Sequence, residues 1–342
     1  EEVRIAYYGD SIIEGDLFSQ DLRNYLQKRF GGTGVGFVPI TNNNSSARST
    51  ITQNYSNSFL YYNLLHKKPN WFYYGINGCV YLTDTSNTFD SANIKQNYWV
   101  EYSHPKNQNF NTIRVFYTAK SDSAYLSYSS GSEYKTISLN NNGYISEVVL
   151  SNINSPKISF SFSKHLILYG MSFENGKGVY VDNFSIRGHS GLLLTRIPQS
   201  VLQGFNRFLN YKFVILQFGA NVLSEGTKDY GWYQEGMVKV INHFKTAFPN
   251  AGILLISSSD RSMKDINGFK TIPSLSKLID AQRNAAQITK ISFWNIFKAM
   301  GGKNSMPLWV NEKLASPDYT HFNQAGARKL SYKLTKSLFQ NL

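Results

Sequence analysis

The sequence has one cysteine, Cys79, in 342 residues. A single thiol closes no intramolecular disulfide and founds no cysteine-based metal cluster, so stability has to come from an apolar core. Long apolar runs are missing as well. No stretch approaches the roughly 18–20 consecutive apolar residues that a membrane helix requires, and a soluble chain without a membrane span is expected. Acidic residues are the scarcer charge: 22 Asp and Glu stand against 35 Lys and Arg, for a net charge of +13. The excess is uneven, with 20 basic and 8 acidic residues in 186–342 against 15 and 14 in 1–185. A basic half of this kind can attract an anionic polymer or surface. It holds no Lys/Arg block and no basic-aromatic motif, so no nucleic-acid partner is expected. No signal peptide is in view: Glu1 and Glu2 run directly into a strand-like segment.

What is present is a 42% hydrophobic and 15% aromatic composition, which suits a globular protein too long for one small domain. VRIAYY at 3–8 reads as a buried strand, followed by Gly9-Asp10-Ser11 and a helical pattern over 18–30. From about 50 to 183 the texture changes to short runs such as TIRVFYTA, KISFSFS and HLILYGMSFE, separated by turn formers such as Asn140-Asn141-Asn142-Gly143. That is the pattern of an all-β module, a sandwich. After 184 apolar strands alternate again with helical segments, near 196–209, 231–248, 273–288 and beyond Asn323. The expected architecture is therefore α/β: a doubly wound parallel sheet formed by 1–49 and 184–342, interrupted by a β-sandwich insert at 50–183.

Four short signals carry chemistry when taken in order: Gly9-Asp10-Ser11, Gly188, Gly219-Ala220-Asn221, and Asp318-Tyr319-Thr320-His321. Each alone is a common turn or cap. The first and third follow strongly apolar strands, and side chains gather at the carboxyl ends of strands in an open α/β sheet. A serine hydroxyl needs a base, so His321 takes the proton of Ser11 and Asp318 orients the imidazole. The oxyanion of an attacked ester needs preorganised donors: the backbone N–H groups of Ser11 and Gly188 and the side-chain amide of Asn221 supply three. The Gly75–Gly78 stretch is a rival for the second block. Gly188 is favoured because one helix and one strand fit between it and Gly219. Asp10 is expected to be structural, and His189 is a possible substrate contact. His66, His104, His165 and His243 lack partners at ligand spacing, so no metal and no cofactor are expected. Tyr98, Trp99, Tyr125, Tyr128 and Tyr180 are possible carbohydrate-stacking residues, with core packing as the simpler reading. The glycine-rich Gly32–Phe37 stretch follows a helix and lacks a Lys-Ser/Thr ending, so it reads as a connection rather than a phosphate loop.

Together these blocks resemble the SGNH hydrolases. With the GTGVGF stretch and a carbohydrate-binding-module-like insert, the chain resembles the bacterial peptidoglycan O-acetylesterases over nearly its full length. The resemblance implies a serine esterase that removes acetyl from the 6-hydroxyl of N-acetylmuramic acid in O-acetylated peptidoglycan, through an acetyl-serine intermediate, in the periplasm. Other acceptable readings are an acetylesterase or acetyltransferase for another polysaccharide, a lipase-like enzyme, and a non-catalytic glycan-binding protein.

Overall fold

Alternation along the first apolar segment makes it the centre of a sheet covered on both faces. In the computed structural model, which describes residues 2–41, 48–83, 97–266 and 268–339, β1 (Glu2–Gly9) buries Ala6 and Tyr8 in one apolar cluster and Tyr7 in another. Strands β2 (Gly178–Ser185), β3 (Tyr211–Gln217), β4 (Gly252–Ile256) and β5 (Ser292–Trp294) extend it into a parallel sheet of order β2-β1-β3-β4-β5. The reversal of order beside β1 is a topological switch point, and the crevice of such a sheet lies at the carboxyl ends of its strands. Gly9 pairs with Ser185 on one side and with Gln217 on the other, so β1, β2 and β3 end level.

The helices are α1 (Ser19–Phe30), α2 (Gln199–Leu209), α3 (Gly231–Ala247), α4 (Leu275–Ile288), α5 (Ile296–Met300), α6 (Ser305–Asn311) and α7 (Gln324–Phe339). Leu22 and Leu26 of α1 lie four apart, as do Leu330 and Leu334 of α7, which puts each pair on one helix face. These leucines meet Tyr7 and Ile215 beneath the sheet, together with Ile296 of α5 and Trp309 of α6. Burying each leucine contributes about 1.5–3 kcal/mol. Helices α2, α3 and α4 cover the opposite face through Phe205, Phe244 and Leu278.

The crossover from β1 to β2 carries α1 and then two antiparallel sheets. One has its strands in the order 146–150, 112–119, 166–174, 79–82 and 60–63, with 36–38 also paired to 166–174; the other runs 52–55, 98–103, 157–162, 125–130 and 133–138. Their aromatic residues meet between them, with the Tyr102 ring 4.9 Å from that of Phe173. Tyr98, Tyr128 and Tyr180 are buried, as core packing requires, and only Tyr125 of the five aromatic candidates is exposed.

Two borders differ from the expectation. Strand β2 lies in the parallel sheet, so residues 178–183 belong to the α/β layer rather than to the antiparallel sheets. Conversely Gly36–Val38 pairs with Phe173, Ser172 and Met171 of the antiparallel sheet. The physical reason is a buried polar knot that ties both layers together. Arg4 of β1 is fully buried and donates to Asp182 at 3.0 Å, to Ser172 at 3.1 Å and to Glu174. Asp182 also accepts the backbone N–H of Phe37 at 2.8 Å and the hydroxyl of Tyr211 at 2.5 Å. Polar residues inside β2 satisfy this knot, and they give that strand the Tyr/Asp/Asn texture of the insert.

Candidate active site

The turn that carries Ser11 begins where β1 ends. Gly9 is required there, because a Cβ would lie 2.7 Å from Cγ1 of Ile13. Asp10 caps the 3-10 turn Ser11–Asp16 by accepting the Ile12 N–H at 3.0 Å. On the other side of the sheet edge, Asn323, two residues after His321, accepts the N–H groups of Ala325 and Gly326 at 3.0 and 3.1 Å and so starts α7. These two caps aim Ser11 and His321 at each other. Ser11 Oγ lies 2.8 Å from His321 Nε2, and His321 Nδ1 lies 2.6 Å from Asp318 Oδ2.

A carboxylate at that distance fixes the ring proton on Nδ1 and leaves Nε2 free to accept from the serine hydroxyl. Asp318 Oδ1 accepts the N–H groups of Thr320 and His321, each at 3.0 Å. Partial burial pushes the Asp318 carboxyl up. The hydrogen bonds from the His321 backbone, the His321 ring and the Thr320 backbone outweigh it and hold the group below its ordinary value.

Tyr319, between them, has φ +53°, in the left-handed region that a bulky residue seldom adopts. Its ring stacks on Phe269 at 3.5 Å, and its carbonyl accepts the Ser262 N–H at 3.1 Å. Both contacts come from the hairpin Ser262–Asp265 and Gly268–Thr271. This brace has no signal in the sequence, since the partners are some 50 residues apart. Replacing Phe269 by Ala is expected to lower kcat for a small aryl acetate about tenfold, through loosened positioning of His321. KM and the folded-state circular dichroism should stay unchanged. An unaltered kcat would show that the turn holds itself.

The remaining blocks arrive at the same edge. Gly188 follows β2, is exposed, and has φ +79°. The rival Gly75–Gly78 turn ends no parallel strand; a Cβ at Gly78 would lie 2.9 Å from Ile186, which places it behind the Gly188 loop. Asn221 follows β3 and is exposed, and its Nδ2 donates to Asp10 Oδ2 at 3.1 Å and to the carbonyl of His189 at 3.2 Å. Both amide hydrogens are thus directed at protein acceptors, and an oxyanion contact requires one of them to be shared. Asp10 thus accepts hydrogen bonds both within its own loop and from Asn221.

Burial raises the Asp10 carboxyl from 3.8 to about 6, against the opposing pull of the Ile12 N–H, His321 and Asn221. A raised carboxyl pKa favours the folded state where the group is protonated. The cost of folding with it ionised appears as pH rises from about 4 and is complete above about 6, at about 3 kcal/mol. Wild type is expected to lose about that much stability relative to Asp10→Asn between pH 4 and pH 7, measured by urea unfolding at each pH. A pH-independent difference would sink this assignment.

His189 departs from the expectation of a substrate contact. Its ring is only 1% exposed and packs edge-on against Phe218 at 5.4 Å. Gly191 N–H donates to Nδ1 at 3.1 Å, so the ring proton sits on Nε2, which has no hydrogen-bond partner among the described residues. Burial, with the charge of Arg196, pulls its pKa down to about 4, and the ring is neutral near pH 7. His189 reaches the site through its carbonyl, which accepts from Asn221. Among the described residues no His, Cys, Asp or Glu group could hold a metal ion, and no helix is long and apolar enough to cross a membrane.

Beside the turn that carries Ser11 lies a cavity of about 310 Å³, lined by Glu14, Tyr61, Asn77, Asn183 and Arg187 among others. Arg187, which precedes Gly188, pairs with Glu14 at 2.5 Å. Sequence spacing offers no hint of this pair, because its members come from different crossovers.

No protein-family model matches the sequence, and no curated protein matches it. A solved peptidoglycan O-acetylesterase is similar with a TM-score of 0.80 and 22% identity, over 99% of this chain and 91% of that one. The two share a fold. The likeness extends over nearly the whole of this chain. A salicylyl-acyltransferase from a tetracycline biosynthetic pathway (TM-score 0.38, 13% identity, 90% of this chain and 98% of that one) and a family two carbohydrate esterase from Cellvibrio japonicus (TM-score 0.33, 10%, 72% and 92%) are too distant to add to the argument.

Proposed function

We propose that the chain is a serine esterase of SGNH type that removes O-acetyl groups from the 6-hydroxyl of N-acetylmuramic acid in peptidoglycan. The observation that carries the reading is the continuous hydrogen-bonded line Ser11–His321–Asp318 at the switch-point edge of the sheet, at 2.8 and 2.6 Å. Ser11 Oγ attacks the acetyl carbonyl carbon while its proton passes to His321 Nε2, and Asp318 stabilises the imidazolium through Nδ1. The oxyanion is held by the N–H groups of Ser11 and Gly188 and by the Asn221 amide. Collapse expels the sugar oxygen, which takes the proton from His321 and leaves acetyl-Ser11. Water then attacks with His321 as base, and acetate departs as Ser11 recovers its proton.

The substrate class is supported by the polar lining of the cavity beside the Ser11–Asp16 turn, where Asn77, Asn183 and the Glu14–Arg187 pair stand with the rings of Tyr61 and Tyr81, a mixture that suits a sugar more than an acyl chain. The basic excess in 186–342 suits a glycan carrying carboxylates. On this reading the antiparallel sheets act as a carbohydrate-binding insert, and the enzyme works in the periplasm, where its polymer lies. The test is acetate release from O-acetylated peptidoglycan, with acetylated xylan and a long-chain aryl ester as parallel substrates. Preference for peptidoglycan supports the proposal; preference for xylan moves the enzyme to another polysaccharide, and preference for the long ester overturns the glycan reading.

A further inference from the structure

A second cavity, of about 460 Å³, opens between the antiparallel sheet and α2, away from the triad loops. Trp71, Tyr73 and Tyr144 line it, and Tyr73 and Tyr144 are 56% and 77% exposed. Other rings such as Tyr134 and Tyr332 are as exposed, but Tyr73 and Tyr144 share one concave lining with Trp71. Tyr169 lies at the floor, its hydroxyl 3.1 Å from that of Thr118. Lys120 and Arg207 stand in the lining, both exposed, and neither has a carboxylate partner among the described residues. Flat rings beside unpaired cations form a combination suited to a ligand with apolar ring faces and a carboxylate.

The cavity is connected to the catalytic edge by a single loop. Leu65 approaches Gly188, within 3.7 Å of where a Cβ would stand, and Trp71 and Tyr73 of the same loop reach the second cavity. Eight residues span at most about 28 Å when extended, which bounds the separation of the two places. We propose that this cavity is an accessory site for a carboxylate-bearing glycan strand, holding the polymer while another of its residues occupies Ser11. Sugar rings stack on Tyr73 and Tyr144, and the carboxylate pairs with Lys120 and Arg207. The inference rests on the glycan-esterase reading above and adds a second point of attachment, which raises the effective concentration of polymer at Ser11 without touching the chemistry.

The test uses the full chain and soluble peptidoglycan glycan strands freed of stem peptides, with neutral N-acetylglucosamine tetrasaccharide as the uncharged counterpart. In a Ser11→Ala background, calorimetric binding of the strands is expected to weaken about tenfold or more in Lys120→Gln/Arg207→Gln. Binding of the neutral tetrasaccharide should weaken only in Tyr144→Ala. With Ser11 present, both variants should raise KM for polymeric substrate and leave kcat and small aryl acetate hydrolysis unchanged. Strand binding equal to the parent in both variants overturns the inference, and acetate release from peptidoglycan by the same preparations shows that the esterase reading survives it. A dimer in sedimentation that Tyr144→Ala dissociates also overturns it, by making this face a contact between copies.

Discussion

Ser11→Ala and His321→Ala are each expected to reduce acetate release by roughly 10⁴-fold or more, and the double variant by no more than either alone. On the proposed mechanism the hydroxyl and imidazole, 2.8 Å apart, act as one unit: without the base Ser11 is an ordinary alcohol, and without the alcohol His321 has no nucleophile to activate. Asp318→Ala should cost less. Its carboxylate is 49% exposed, so water can replace part of what it gives the imidazolium. The check is kcat on a soluble aryl acetate, with circular dichroism to verify folding. Ser11→Ala at wild-type rate would remove the triad from the mechanism altogether.

The second large effect concerns stability. Arg4→Met is expected to destabilise the fold by about 3–5 kcal/mol, because Asp182, fully buried, loses its counter-ion. Burial alone works against the Arg4 charge, but Asp182 and Glu174 more than offset it and raise its pKa. Removing only the cation reverses that balance. Arg4→Met/Asp182→Asn should recover part of the loss, since the uncompensated charge goes with it. Chemical unfolding followed by tryptophan fluorescence reads both. A loss below about 1 kcal/mol in the single variant would mean that Asp182 is held by its other donors, Phe37 N–H and Tyr211.

This knot also explains which parts of the fold could be read along the chain. Strands β1, β3 and β4 are nearly continuous apolar runs, the pattern of a sheet buried on both faces, and their positions follow from that pattern. Strand β2 is just as buried but carries Asp182 and Asn183, so periodicity assigns it to the insert. Short elements such as β5, α5 and α6 were equally illegible, each too brief to show a period. At the site, Ser11, Asp318, His321, Gly188 and Asn221 were named from residue type, order and placement after strands. The His189 ring was misplaced, because nothing in Gly188-His189-Ser190 says which way a side chain turns.

Residue chemistry and its order along the chain were sufficient for the parallel α/β layer, for antiparallel strands beside it and for naming candidates for nucleophile, acid and base. Each of these depends on local pattern, and local pattern is written in neighbouring residues. Tertiary structure alone decided that β1, β2 and β3 end level, that Asp10 holds Asn221, that Phe269 braces Tyr319, and that Arg4 welds the antiparallel sheet to the parallel one. Those contacts join residues tens to hundreds of positions apart, and their energy depends on burial and geometry that exist only once the backbone has closed around them.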